Sequence, residues 1–213
     1  MAEEQTTFSL EIIGLGCVRG DRRLFRNVDF SLSQGSLLQV QGPNGSGKTS
    51  LLRMICGLLE PAEGEIRWKG ANIRSLGEEY SASVTYIGHR NGVKDELTAS
   101  ENLRVSCGLA GIDVSETEAS LVLDRVGLKG RERLPARLLS QGQRRRLALA
   151  RLLVCKTPLW ILDEVLTSLD KNAIALIKSI VEERLESGGM AIIATHQELD
   201  LSAGSFQRLE LAS

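Results

Sequence analysis

Long apolar runs, an excess of basic charge, aromatic side chains and closely paired cysteines are all scarce in this 213-residue chain, and each scarcity removes a class of function. No apolar stretch approaches the ~20 residues that a membrane span needs. The first residues, Met1-Ala2-Glu3-Glu4-Gln5, are acidic and lack the apolar segment of a signal peptide, which predicts a chain that stays in the cytoplasm. A net charge of -1 supplies no field toward nucleic acid or an anionic membrane. With 4% aromatic residues there is little material for stacking single-stranded bases. Cys17, Cys56, Cys107 and Cys155 stand far apart with no CxxC pair, so reduced, mostly buried thiols are expected rather than a zinc site or a disulfide framework. His89 and His196 are the two histidines of the chain.

What is present is an ordinary globular composition, 42% hydrophobic and 25% charged, long enough to bury a real core. Short apolar runs predict strands at Phe8–Ile13, Leu24–Leu32, Ser36–Gln41, Glu65–Trp68 and Val84–Ile87. After Lys48 the spacing turns helical, with Leu51, Leu52, Ile55 and Leu58 on one face. From about Thr98 to Leu139 helical periodicity dominates, anchored by Leu103, Leu109, Leu121, Val122, Leu123 and Val126. A helix at about Gln143–Cys155, a strand at Leu159–Leu162, a helix at about Asn172–Glu186 and a strand at Met190–Ala194 complete the pattern. Strands alternating with helices predict an α/β fold with a parallel sheet. Residues 1–213 read as a single domain, with about 1–97 and 143–213 forming the core and about 98–142 a helical insert.

The segment Gly42-Pro43-Asn44-Gly45-Ser46-Gly47-Lys48-Thr49 fits G-x-x-x-x-G-K-[ST] at every fixed position, between an apolar strand and an amphipathic helix. Glycines let the backbone curl so that its N–H groups point at phosphate oxygens, and the helix dipole adds to that field. Lys48 brings a point charge toward the β and γ phosphates, and the Thr49 hydroxyl can ligate Mg2+. Ser50 completes the expected ATP-binding set. The loop predicts ATP and Mg2+ but does not choose among the reactions that use them.

Four further motifs make that choice. Leu139-Ser140-Gln141-Gly142-Gln143 opens a helix; Leu159-Trp160-Ile161-Leu162-Asp163-Glu164 ends an apolar strand in two carboxylates; Ser168-Leu169-Asp170 and Thr195-His196 follow. In that order, over essentially the whole chain, they resemble the signature, Walker B strand, D-loop and switch histidine of ATP-binding-cassette (ABC) ATPases. The resemblance implies a P-loop NTPase core with an antiparallel β subdomain and a helical signature subdomain. It implies that Asp163 and Thr49 hold Mg2+, that Glu164 activates the attacking water, and that Lys48 and His196 contact the γ-phosphate. Ser140, Gln141, Gly142 and Gln143 would face a nucleotide held by a second ABC subunit, expected to be another copy of the chain, and Asp170 would belong to the D-loop. Arg144, Arg145 and Arg146 read as a solvated helix face with salt bridges.

Departures from the common cassette pattern narrow the resemblance. Gln141 replaces a signature glycine, and Val165 stands where proline would hold Glu164 extended. His89 takes the place of the glutamine that links the nucleotide site to the membrane partner, and the adenine-stacking aromatic is missing from Cys17-Val18-Arg19-Gly20, where a guanidinium could stack instead. His89 within Tyr86 to Leu103, with Gly42 to Arg53, Trp160 to Glu164 and Ala194 to Gln197, is similar to the ATPase subunits of bacterial cytochrome c maturation systems; Val165 does not follow that subfamily's habit, and the resemblance does not explain it. That resemblance implies a peripheral protein at the cytoplasmic face of the inner membrane, paired with integral membrane transporter subunits, whose hydrolysis drives haem export or release of a haem-loaded chaperone. Another small transporter is an alternative, as is a soluble ABC ATPase on nucleic acid or ribosomes; the near-neutral charge argues against nucleic acid.

Overall fold

The computed structural model describes residues 9–167, 169–197, 199 and 204–211, and Ser168 of the expected D-loop lies outside them. The chain divides into two compact units, Met1–Tyr86 with Thr157–Glu164 and Glu182–Ser213, and Ile87–Lys156 with Val165–Val181.

The first unit holds two sheets. Strands β1 (Ser9–Arg19), β2 (Arg22–Ser33), β4 (Glu63–Trp68) and β5 (Ala71–Asn72) form one, in the order β2-β1-β4-β5, with antiparallel pairing throughout. The other has the order β6-β7-β8-β3-β9, built from β3 (Ser36–Gln41), β6 (Val84–Ile87), β7 (Leu159–Asp163), β8 (Met190–Ala194) and β9 (Ser205–Glu210). Its β7–β8, β8–β3 and β3–β9 pairs are parallel. Every residue of β7 and β8 is buried, as expected of strands covered on both faces. Leu10, Ile12 and Leu15 of the antiparallel sheet share one apolar cluster with Leu38, Val40, Ile161 and Ile192 of the parallel sheet.

Helix α1 (Lys48–Ile55) adds Leu51, Leu52, Met54 and Ile55 to that cluster. It closes in a Schellman turn, with the Leu58 N–H donating to Arg53 O at 2.8 Å and the Gly57 N–H to Met54 O at 2.9 Å. That turn takes Leu58 off the apolar face on which the spacing placed it, and Leu58 is exposed. The short helices α2 (Ile73–Leu76) and α3 (Glu78–Ala82) follow β5, and Tyr80 of α3 packs edge-on against Trp68.

The second unit is helical. α4 (Ala99–Gly108), α5 (Glu116–Arg125), a 3-10 turn at Ala136–Leu138 and α6 (Gln141–Val154) gather around Leu103, Leu123, Val126, Leu139, Leu147 and Ala150. Leu109 and Leu121, expected as anchors, are exposed. Leu109 falls just past the end of α4, and Leu121 points away from the stripe made by Ala119 and Leu123. Thr98 with Glu101, Ser115 with Glu118 and Ser140 with Gln143 each form a capping box, so all three helices start on a reciprocal side-chain-to-backbone pair. The Glu101 and Glu118 carboxyls are held below the usual carboxylate range by these hydrogen bonds. α7 (Lys171–Glu186) is capped by Asp170, whose Oδ1 accepts from the Ala173 N–H at 2.8 Å. All four cysteines are free thiols, with Cys56 half-buried and the other three buried. No helix among the described residues is long and apolar enough to cross a membrane.

Gly64 sits at φ +81° where β4 meets the irregular part of β1, and a Cβ there would lie 2.3 Å from Ile13 O and 2.4 Å from Gly14 O. Gly64→Ala should therefore cost at least about 2 kcal/mol in urea unfolding, combining left-handed strain with a backbone clash.

Candidate functional site

The parallel register determines what meets at the mouth of the phosphate loop. Val40 pairs with Ala194, and Ala194 pairs with Asp163. The residues directly after β3, β7 and β8 are therefore neighbours: the loop starting at Gly42, Glu164, and Thr195-His196. Such an end of a parallel sheet is where ligands bind in open α/β folds.

The loop ends at Gly47, the N-cap of α1, with φ +102°. A Cβ at Gly47 would lie 2.9 Å from Phe25, so glycine is required on both conformational and steric grounds. Lys48, only 7% exposed, folds its ammonium back onto the loop, donating to Gly42 O at 2.8 Å and Pro43 O at 3.2 Å. Ser46 and Ser50 are buried. Asn44 and Gly45 are exposed at the loop crest.

Asp163 is fully buried. Its Oδ1 accepts from the Thr49 hydroxyl at 3.2 Å and its Oδ2 from the Tyr86 hydroxyl at 3.4 Å. Burial, and then the charge of Asp163, push the Tyr86 phenol and the nearby Cys56 thiol up, so both stay protonated at neutral pH. Glu164 follows in a left-handed conformation, φ +54°, with its N–H donating to Ala194 O at 2.9 Å. The extended geometry that a following proline would favour is thus absent, and Val165 is compatible with the observed one.

His196 Nε2 lies 3.4 Å from Glu164 Oε1, 3.2 Å from Asn44 Oδ1 and 3.4 Å from Lys48 Nζ. One ring nitrogen cannot serve all three. Unprotonated, it accepts from Lys48; protonated, it donates to Asn44 or Glu164. Lys48, Thr49, Asp163, Glu164 and His196 are therefore brought together within the first unit. A cleft of about 480 Å³ is lined by Asn44, Gly45, Gly47, Lys48, Thr49, Ser50 and Glu164 together with Arg19, Arg22 and Leu24. A larger cavity, about 640 Å³, lies beyond the far end of α1 and includes no residue of the phosphate loop.

The remaining motif residues lie in the second unit. Ser140 and Gln141 are exposed at the start of α6, and Gly142 and Gln143 are half-buried. The Ser140 hydroxyl accepts from the Gln143 N–H at 3.2 Å while Gln143 Oε1 accepts from the Ser140 N–H at 2.9 Å, so two residues of the motif also cap the helix. His89 is exposed.

The arginine run departs from its sequence reading. Arg145 is 4% exposed rather than solvated. Positions 145, 148, 149 and 152 form one i, i+3, i+4, i+7 stripe, and its other three members are Ala148, Leu149 and Leu152. That phase was the available signal, outweighed by the charge of the side chain. Arg144 pairs with Asp95 at 2.9 Å, and Arg146 donates to Val126 O and Gly127 O. Asn102 is a second buried polar residue that the sequence did not single out. Its amide N–H groups donate to Lys94 O, Leu97 O and Thr98 O, and its Oδ1 accepts from the Lys94 N–H.

Taken together, the parallel sheet, the strand–loop–helix and the buried carboxylate define a phosphate-binding-loop NTPase. The family model described as ABC transporter matches residues 25–167, and the chain belongs to that family. It is 60% identical over 203 residues to the cytochrome c biogenesis ATP-binding export protein CcmA of Nitrosospira multiformis, covering 95% of this chain and 98% of that one. Identity to the CcmA of Nitrosomonas europaea is 58% over 198 residues, covering 93% of each. Among solved structures, the ATP-binding subunit of an ABC transporter superposes with a TM-score of 0.78 at 27% identity, over 88% of this chain and 79% of that one. A dimeric post-hydrolysis state of the cassette MJ0796, bound to ADP and Pi, shares the fold, with a TM-score of 0.77 at 22% identity over 88% of each chain.

The backbone at Glu164 can be tested apart from its carboxylate. Glu164→Gly and Glu164→Ala both remove the side chain, but only glycine relieves the left-handed strain, so the glycine variant should be about 1 kcal/mol more stable in urea titrations.

Proposed function

We propose that this chain is the ATP-hydrolysing subunit of a membrane transporter serving cytochrome c maturation. The observation that carries the reading is the cluster at the loop mouth, where a lysine, a hydroxyl, a buried carboxylate, a second carboxylate and a histidine converge. The names carried by relatives 60% and 58% identical support the cytochrome c assignment.

In this reading the residues Gly42, Pro43, Asn44, Gly45, Ser46, Gly47, Lys48, Thr49 and Ser50 bind ATP, with the triphosphate on the loop N–H groups and the base toward Arg19 and Arg22. Lys48 exchanges its carbonyl contacts for β- and γ-phosphate oxygens. The Thr49 hydroxyl and Asp163, already 3.2 Å apart, fit Mg2+, which takes one or two protein oxygens and otherwise keeps water and phosphate. When bound, Mg2+ supplies charge neutralisation at the phosphates. Glu164 takes the proton of the water that attacks the γ-phosphorus as the bond to the ADP oxygen breaks, giving ADP and phosphate. His196 contacts the γ-phosphate and is held beside Glu164 until it does.

Ser140, Gln141, Gly142 and Gln143 face the nucleotide of a second copy, and Asp170 belongs to the D-loop. About residues 98–142 act as the helical subdomain of a single cassette. His89 reports to the integral membrane subunits, which handle haem without its touching this chain, and the protein sits on the cytoplasmic face of the inner membrane. Nucleic acid has no part in the cycle.

Glu164→Gln should retain ATP and favour the dimer while slowing phosphate release about 100-fold or more, measured by phosphate assay and size exclusion; unchanged release would sink the base assignment. Lys48→Ala, expressed in place of the wild type, should leave cells without mature c-type cytochromes on haem-stained gels. Normal cytochrome levels would remove the cytochrome c assignment and leave the ATPase class standing.

A further inference from the structure

Arg145 has no place in the hydrolysis scheme, yet it is a buried cation with four hydrogen-bond partners among the described residues. It is 4% exposed. Its Nε donates to Val165 O at 3.1 Å. Its Nη1 donates to Asn91 Oδ1 at 2.8 Å, Gly88 O at 3.0 Å and His89 O at 3.4 Å. Burying a guanidinium is expensive unless its donors are matched, and an apolar residue at this position would continue the stripe of Ala148, Leu149 and Leu152 at no such cost. The bonds run in two directions. One side holds the Gly88–Asn91 loop, which carries the exposed His89, and the other holds the carbonyl of Val165, the residue bonded directly to Glu164.

We propose that Arg145 is a positioning residue: its guanidinium ties the Gly88–Asn91 loop to the turn after Glu164, so that displacing the loop displaces the Glu164 carboxylate. The inference rests on Glu164 being the base. A planar group with donors on two edges can hold two backbone segments at once, which a lysine ammonium at the same site cannot do. The loop has a second fixed point at Lys94, bonded to Asn102, so movement of its exposed part is channelled toward Arg145. The left-handed Glu164 gives the tie its leverage, because a residue in that conformation keeps its place only while its surroundings enforce it.

The test compares Arg145→Ala, Arg145→Lys and the milder Asn91→Ala in the full chain. A misplaced base should lower kcat about 100-fold in Arg145→Ala while ATP binding, followed with a fluorescent ATP analogue, stays within about twofold. Arg145→Lys should not rescue it. Adding Glu164→Gln to Arg145→Ala should bring no further loss, since both act on one group. Hydrogen–deuterium exchange of the Val165–Thr167 turn should quicken in Asn91→Ala, a substitution on the other side of the tie. Wild-type kcat in Arg145→Ala with only a lowered Tm, or an unaltered turn in Asn91→Ala, would overturn the proposal. If Glu164→Gln alone hydrolyses normally, the base assignment has failed, and the exchange experiment, which does not pass through Glu164, still decides whether the loop and the turn are tied. Should Arg145→Ala not fold, Asn91→Ala carries the kinetic arm as well.

Discussion

The in-line pairing of β7, β8 and β3 is the constraint on which the site depends. Parallel strands deliver their C-terminal ends to one edge, and here two pairs of residues, Val40 with Ala194 and Ala194 with Asp163, set which loops arrive together. A slip of one residue in β7 would turn Asp163 to the other face and carry its carboxylate away from Thr49. The register is enforced by complete burial of β7 and β8, and by the apolar cluster into which Leu38, Val40, Ile161 and Ile192 are packed. Catalytic geometry and core packing are therefore one requirement, and a core substitution in these strands would be felt first at the loop mouth.

The second unit depends on a different device. Its helices begin at side chains that answer their own backbone, three times in the same S/T-x-x-E/Q form. Between β6 and α4 the chain has no regular structure of its own. Arg145 and Asn102 fix it instead, two buried polar side chains that supply the hydrogen bonds a helix or strand would otherwise provide.

How much of this was legible in sequence follows from what is local. The phosphate loop was readable because its glycines, lysine and hydroxyl act within eight residues of one another, and the flanking strand and helix were equally plain. The strands β7 and β8 were found because Leu159–Leu162 and Met190–Ala194 are continuous apolar runs, and β6 because Val84, Tyr86 and Ile87 favour a strand. β9 was not: alternately exposed and with charged side chains, it is a strand because β3 offers it an edge. Leu109 and Leu121 were misassigned because residue type was counted without helical phase. Arg145 was misread for the converse reason, since its phase was right and its charge argued otherwise. The capping boxes were present in the spacing, and the one at Ser140 was hidden by the motif it shares.

Lys48 gives the site a property beyond geometry. Its ammonium is already partnered by Gly42 O, Pro43 O and His196, so in the proposed reading an incoming phosphate trades contacts with it rather than meeting a bare charge. The heat released on binding should be small for so charged a ligand, because bonds are broken as others form.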